Sequence, residues 1–166
     1  MKKLFLACAL LVSAWMSNTA NAQSVGLRLD YYTGTGSFLM YGLDYKHFLN
    51  NNIAIEGMAT AHFEEGVKLF NISALGEYNY FVNDDILLYG GAGPELNITS
   101  VDFLGETVSD SQFGLGLILG ATYNIGPVGV SLDWHPALNF CEGCGFESGR
   151  IGGSVRYNFG DMGGED

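Results

Sequence analysis

The chain is predicted to fold as an all-β, eight-stranded antiparallel transmembrane barrel whose strands run up and down as a meander. Three observations predict it. Apolar and polar residues alternate with period 2 through nearly everything after Ala22, turn residues interrupt the alternation at fairly even spacing, and nearly every mid-strand charge falls on one of the two faces. No run after Ala22 approaches the roughly eighteen apolar residues of a membrane helix, so any crossing of a bilayer has to be made by strands.

The elements follow in order. Residues 1–22, MKKLFLACALLVSAWMSNTANA, carry two lysines, an apolar run from Leu4 to Met16 and an Ala20-Asn21-Ala22 ending, which is the order of a cleaved secretory signal peptide. Removing them takes the 166-residue chain to 144 residues and the net charge from −11 to −13. The barrel is expected over residues 23–160, with a short acidic tail at 161–166. The first strand sets Val25, Leu27, Leu29 and Tyr31 against Gly26, Arg28 and Asp30, and the second sets Leu39, Tyr41, Leu43 and Tyr45 against Met40, Gly42, Asp44 and Lys46. The third opposes Ile53, Ile55, Gly57, Ala59 and Ala61 to Glu56, Met58, Thr60 and His62; the fourth opposes Phe70, Ile72, Ala74, Gly76, Tyr78 and Tyr80 to Asn71, Ser73, Leu75, Glu77 and Asn79.

In the fifth, Ile86, Leu88, Gly90, Ala92 and Pro94 lie across from Gly91, Gly93 and Glu95, with Pro94 placed at the strand end, where a missing N–H does least harm. The sixth runs from Phe113 to Tyr123 with Gly114, Gly116, Gly120 and Thr122 on its polar side. The seventh sets Val128, Val130, Leu132 and Trp134 against Ser131, Asp133 and His135, and the eighth is GRIGGSVRYNF, Gly149 to Phe159. Each segment is close to the 9 to 11 residues, roughly, that a tilted strand needs to cross a bilayer. LNNN (49–52), VNDD (82–85) and NIGP (124–127) are tight turns, and the other connections are longer or acidic. Short turns and both termini are expected on the periplasmic side. NITSVDF and TVSDSQF flank Leu104-Gly105-Glu106, so the third loop is expected to be a protruding hairpin able to meet a surface partner.

The distribution of charge decides which face is inside. Arg28, Asp30, Asp44, Lys46, Glu56, Glu77, Glu95, Asp133 and Arg156 all share the small, polar face, which suits the narrow interior of an eight-stranded barrel if the charges pair. Arg150 falls on the same face, at the interior or its rim. Tyr45, Tyr78, Tyr80, Tyr123, Tyr157 and Phe159 lie on the apolar face beside the short turns as one aromatic girdle, and Tyr31, Phe70, Phe113 and Trp134 supply the other. Only Lys46 and Lys68 remain as lysines after Ala22, unlike the exposed faces of soluble β proteins. The acidic balance argues against nucleic acid as a partner.

The signal peptide, the eight alternating strands and the closing Val155-x-Tyr157-x-Phe159 resemble the small outer-membrane barrels of the OmpA/OmpX-like group, over roughly residues 24–160. The resemblance implies the outer membrane of a Gram-negative bacterium, lipid and lipopolysaccharide as surroundings, and the barrel-assembly machinery as a partner that reads Val155, Tyr157 and Phe159 as the assembly signal. In such proteins the aromatic usually ends the chain; here GDMGGED follows. The implied role is structural, adhesive or in envelope integrity, as a monomer without cofactor. The alternatives are a lipid A acyltransferase or deacylase using His62 or His135, and a soluble barrel that holds a small ligand.

Three further groups of residues bear on chemistry. The interior charges serve either as a filled polar plug or as a gate for ions or protons, and an eight-stranded interior favours the plug over a diffusion pore. Cys141 and Cys144, in CEGC, are the only cysteines after Ala22; an exported disulfide is expected, with a metal site or a redox pair as alternatives. Ser131, Asp133 and His135 share one face of a strand, which raises a hydrolase reading, yet no G-x-S-x-G elbow accompanies them and interior packing accounts for them equally. The loop acids Glu64, Glu65, Asp102, Glu106, Asp110, Glu142 and Glu147 are read as a solvated surface or as a cation site bridging to lipopolysaccharide.

Overall fold

A computed structural model of the chain describes residues 23–33, 37–103, 106–140, 145–147 and 149–159. The proposed signal peptide, Cys141 and Cys144, the hairpin tip at Leu104-Gly105 and the tail from Gly160 lie outside the described residues. The strands are β1 (Gln23–Tyr32), β2 (Phe38–Phe48), β3 (Ile53–Glu64), β4 (Val67–Phe81), β5 (Ile86–Phe103), β6 (Glu106–Ile125), β7 (Val128–Trp134), β8 (Ala137–Asn139), β9 (Phe146–Glu147) and β10 (Arg150–Phe159).

All pairings are antiparallel, and β1 bonds both β2 and β10, so the sheet closes on itself. Closure leaves the barrel wall without a free edge, so the strands supply one another with the backbone partners that a bilayer could not. Eight walls go round, because β8 continues β7 in the same register along β6: Leu119 lies opposite Trp134 and Gly116 opposite Ala137. His135 and Pro136 interrupt that strand. Pro136 has no N–H to give, but its carbonyl accepts from Leu117, while the His135 N–H bonds the carbonyl of Arg150. This break, and the two short pieces β8 and β9, differ from the single seventh strand expected.

Pro94 is also placed differently from the expectation. It sits in the middle of the 18-residue β5, opposite Leu115 of β6. The ladder to β4 steps from Ser73–Glu95 directly to Gly76–Ala92, leaving Ala74 and Leu75 unbridged where Gly93 and Pro94 pass. The missing donor therefore falls in a local gap in the ladder. Two turns require glycine. The hairpin closing Glu64 onto Val67 places Gly66 at φ 80°, and that closing Ile125 onto Val128 places Gly126 at φ 59°, both in the left-handed region.

The wall is taller on one side. β5 and β6 pair without interruption from Ile86–Tyr123 to Phe103–Glu106, and β4 accompanies them as far as Val67–Val101. Asp102 in this extension accepts hydrogen bonds from Thr107 Oγ1 at 2.6 Å and Lys68 Nζ at 3.2 Å, which hold its carboxyl below the usual carboxylate range. A lowered folded value stabilises the extension above the ordinary carboxylate pKa of about 3.9, and that contribution disappears as the pH falls through the lowered value. Amide protection of residues 98–102 is therefore expected to weaken with acid, whereas Asp102→Asn weakens it already at neutral pH and removes the acid dependence. Equal acid sensitivity in the two proteins would contradict this.

Candidate functional site

Alternation along each strand sends one row of side chains out and the other in. Between the two rims the outward row is apolar: Leu27 is 71% exposed, Leu132 66%, Leu119 62% and Leu43 57%. The inward row holds Arg28, Asp30, Asp44, Lys46, Glu56, Glu77, Glu95, Asp133 and Arg156, every one of them buried. Burying so many charges is tolerable only when each finds a partner.

The pairs form connected groups. Arg28 donates from Nη1 and Nη2 to the two carboxylate oxygens of Asp133, at 3.0 and 2.5 Å, and its Nε lies 2.7 Å from Asp30. The Tyr89 hydroxyl donates to the same Asp133 at 3.1 Å. Near the end that carries the termini, Arg156 reaches Asp44 at 3.1 Å and Glu56 at 2.5 Å, while Lys46 lies 2.5 Å from Glu77 and 3.8 Å from Glu56. The Lys46 ammonium also sits 4.2 Å from the centre of the Tyr89 ring.

At the opposite end, Arg150 is a further buried cation outside the nine-residue set. Its Nη2 donates to Glu95 at 2.5 Å, Nη1 to the Tyr32 hydroxyl at 2.8 Å, and Nε to the His135 carbonyl at 3.2 Å. The parity of GRIGGSVRYNF carried this signal: Arg150 precedes Gly152, Ser154 and Arg156 on the inward row. Among the described residues, these groups set Arg28, Lys46, Arg150 and Arg156 against six carboxylates, with His135 3.1 Å from Glu95.

Apolar side chains fill the remaining interior. Met58, Leu75, Tyr89 and Ile118 pack together, and Phe48, Ala54 and Leu87 with Phe81 form a plug by the turns at the terminal end. The alternation had put Met58 and Leu75 on the inner row, but the plug carries no polar signature and was not anticipated.

The serine, aspartate and histidine on the seventh strand are not assembled for nucleophilic chemistry. Ser131 Oγ bonds Ser154 Oγ at 2.7 Å, Asp133 is taken by Arg28, and His135 turns to Glu95. His62 stands apart, its Nδ1 2.8 Å from the Leu39 carbonyl and its Nε2 3.4 Å from Glu64. On the outer face, Tyr78, Tyr80, Tyr123, Tyr157 and Phe159 are exposed and Tyr45 is half-buried, all beside the turns at the terminal end. Tyr157 and Phe159 meet edge to face at 4.9 Å, and Val155 shares their row on β10. Tyr31, Phe70, Phe113 and Trp134 lie toward the other end, where Tyr41, Phe63 and Phe140 join them in ring contacts.

The profile of a family described as "Outer membrane protein beta-barrel domain" matches residues 11–159. No curated protein sequence matches the chain. Among solved structures, Neisserial surface protein A is 20% identical, the alignment covering 85% of this chain and 98% of that one with a TM-score of 0.63. The N-terminal β-barrel domain of Pseudomonas aeruginosa OprF is 15% identical over 84% of this chain and 98% of that one, with a TM-score of 0.68. Ail, the attachment invasion locus protein of Yersinia pestis, is 18% identical over 84% and 97%, with a TM-score of 0.61, and has also been solved in complex with the heparin analogue sucrose octasulfate.

Proposed function

Because the chain belongs to the family of outer membrane protein beta-barrel domains and is a small outer-membrane barrel, we propose that it serves as a closed, non-conducting envelope protein whose extended strands β4 to β6 engage the cell surroundings. The observation that supports this reading is the filled interior: among the described residues, an apolar plug and then ion-paired side chains occupy the inner face, as the narrow interior of an eight-stranded barrel favours. In the proposed orientation the short turns and termini are periplasmic and the aromatic rows mark the two membrane interfaces, with Val155, Tyr157 and Phe159 as the assembly signal. Lipid and lipopolysaccharide surround it, and it works as a monomer.

The surface partner differs in charge from the ligand named for Ail. At the extended end Glu64, Glu65, Asp102 and Asp110 are exposed, Lys68 is already paired with Asp102, and Arg150 is buried. A polyanion meets repulsion there. The lipid A enzyme has no assembled machinery at His62 or His135.

Two experiments test the proposal. Reconstituted protein is expected to give no discrete conductance steps in a planar bilayer; regular steps would overturn the closed-barrel reading. Shortening the hairpin between Ile98 and Ser111 is expected to leave a folded, heat-modifiable barrel but reduce surface attachment, while lipid A mass stays the same with and without the gene. A change in lipid A mass would return the enzyme.

A further inference from the structure

The interior is blocked at the terminal end but opens at the other into a blind cup of about 190 Å³. Tyr32, Phe38 and Met40 line one side, Asn97 and Gln112 the other, and Glu147 stands at its edge. We propose that this cup binds a small aliphatic ammonium ion, its charged head on Glu147 and its hydrocarbon part against Phe38 and Met40.

The lining argues against a sugar and against an anion. A sugar would need a free aromatic face to stack on. Tyr32 has Phe38 stacked on it at 4.6 Å and Arg150 at 5.4 Å from its centre, and the Phe38 ring is further contacted by His62 at 5.1 Å. An anion would need an accessible, uncommitted cation, but Arg150 is 1% exposed and is already paired with Glu95 while also donating to Tyr32 and the His135 carbonyl. Lys68 is engaged with Asp102 in the extension.

A cation finds the opposite situation. Beneath the cup, Arg28 and Arg150 face three acids, Asp30, Asp133 and Glu95, in a poorly hydrated interior. Glu147 adds a further acid at the cup, where among the described residues it accepts from Asn139 Nδ2 at 3.4 Å. The volume is that of about six water molecules, which suits a short alkylamine rather than a lipid or a peptide.

The test is titration of the whole protein in lipid nanodiscs with 1,4-diaminobutane, reading the Met40 methyl and the Asn97 and Gln112 side-chain amide signals, with 1,4-butanediol as the uncharged match. The diamine is expected to shift these signals and the diol to leave them in place. Glu147→Gln, at an accessible site whose loss does not threaten the fold, is expected to weaken diamine binding about tenfold, the scale of one charge-assisted hydrogen bond. Glu64→Gln is expected to change nothing, and Leu69→Trp, which fills the cup, to abolish binding. The proposal is overturned by equal shifts with the diol, by equal weakening in Glu147→Gln and Glu64→Gln, by unchanged binding in Glu147→Gln or Leu69→Trp, or by no shift up to about 10 mM amine.

Discussion

Arg156→Met is expected to destabilise the barrel by about 3–5 kcal/mol, one of the largest effects of any single substitution in the chain. Arg156 is 3% exposed and serves Asp44 and Glu56 together, so its loss strands two carboxylates in a narrow interior. Lys46 lies 3.8 Å from Glu56 and is already committed to Glu77 at 2.5 Å, which leaves it a poor substitute. The cost belongs to the orphaned charges and not to the lost pairs. Adding Asp44→Asn and Glu56→Gln to Arg156→Met should therefore recover most of the stability, since a buried ion group replaced by neutral side chains of similar volume is often close to neutral. Urea unfolding in lipid vesicles, followed by the mobility of unboiled protein, measures both variants. A single variant within about 1 kcal/mol of the parent would contradict the account.

The second large effect concerns the outer face. Leu27 lies in the middle of β1, beside Leu43 and Val155 in register, and is 71% exposed. On a water-facing surface Leu27→Arg would change stability by less than about 0.5 kcal/mol. On a face that meets hydrocarbon it should cost about 2–4 kcal/mol. Val108 supplies the control, being 65% exposed but carried on the extension beyond the barrel wall, so Val108→Arg should cost almost nothing. The contrast between two equally exposed apolar residues distinguishes the media around them, and equal costs at the two sites would contradict the assignment.

Much of this architecture is legible in the sequence because the side-chain period of a strand is 2 and the interior of an eight-stranded barrel admits little but small or paired residues. Arg28, Asp44 and Glu56 could be placed on the inner row by parity, since a slip of one residue would turn Leu27 and Leu43 inward and every charge outward. Parity assigns a face but not a partner. That Arg28 would reach across to Asp133, and Arg156 to both Asp44 and Glu56, depends on the stagger between strands whose residues lie 105, 112 and 100 positions apart in sequence, which alternation leaves undetermined.

The elements that alternation misplaced involve residues lacking a donor. Pro94 was expected at a strand end because a central proline removes a ladder bond, yet β5 carries it at mid-length where the pairing with β4 lapses. Pro136 divides the seventh wall into β7 and β8 without altering its register on β6, so the interruption left no trace in the apolar pattern. Arg150 was recognisable as an inward residue, but its place as the first residue of β10 made interior and rim indistinguishable. The three hydrogen bonds it donates, and its burial, settle it inside. The Phe48, Ala54 and Leu87 plug was hidden for a different reason: an apolar residue on the inner row of a half-polar strand reads as noise until its neighbours across the barrel are known.

The orientation of the two rows is tested most directly by methyl spectroscopy in nanodiscs whose acyl chains carry a paramagnetic doxyl label. The Leu27, Leu43, Leu119 and Leu132 methyls are expected to broaden strongly, while those of Met58, Leu75 and Leu87, all buried inside, stay sharp. Sharp outer leucines that broaden instead with a water-soluble gadolinium chelate would contradict it.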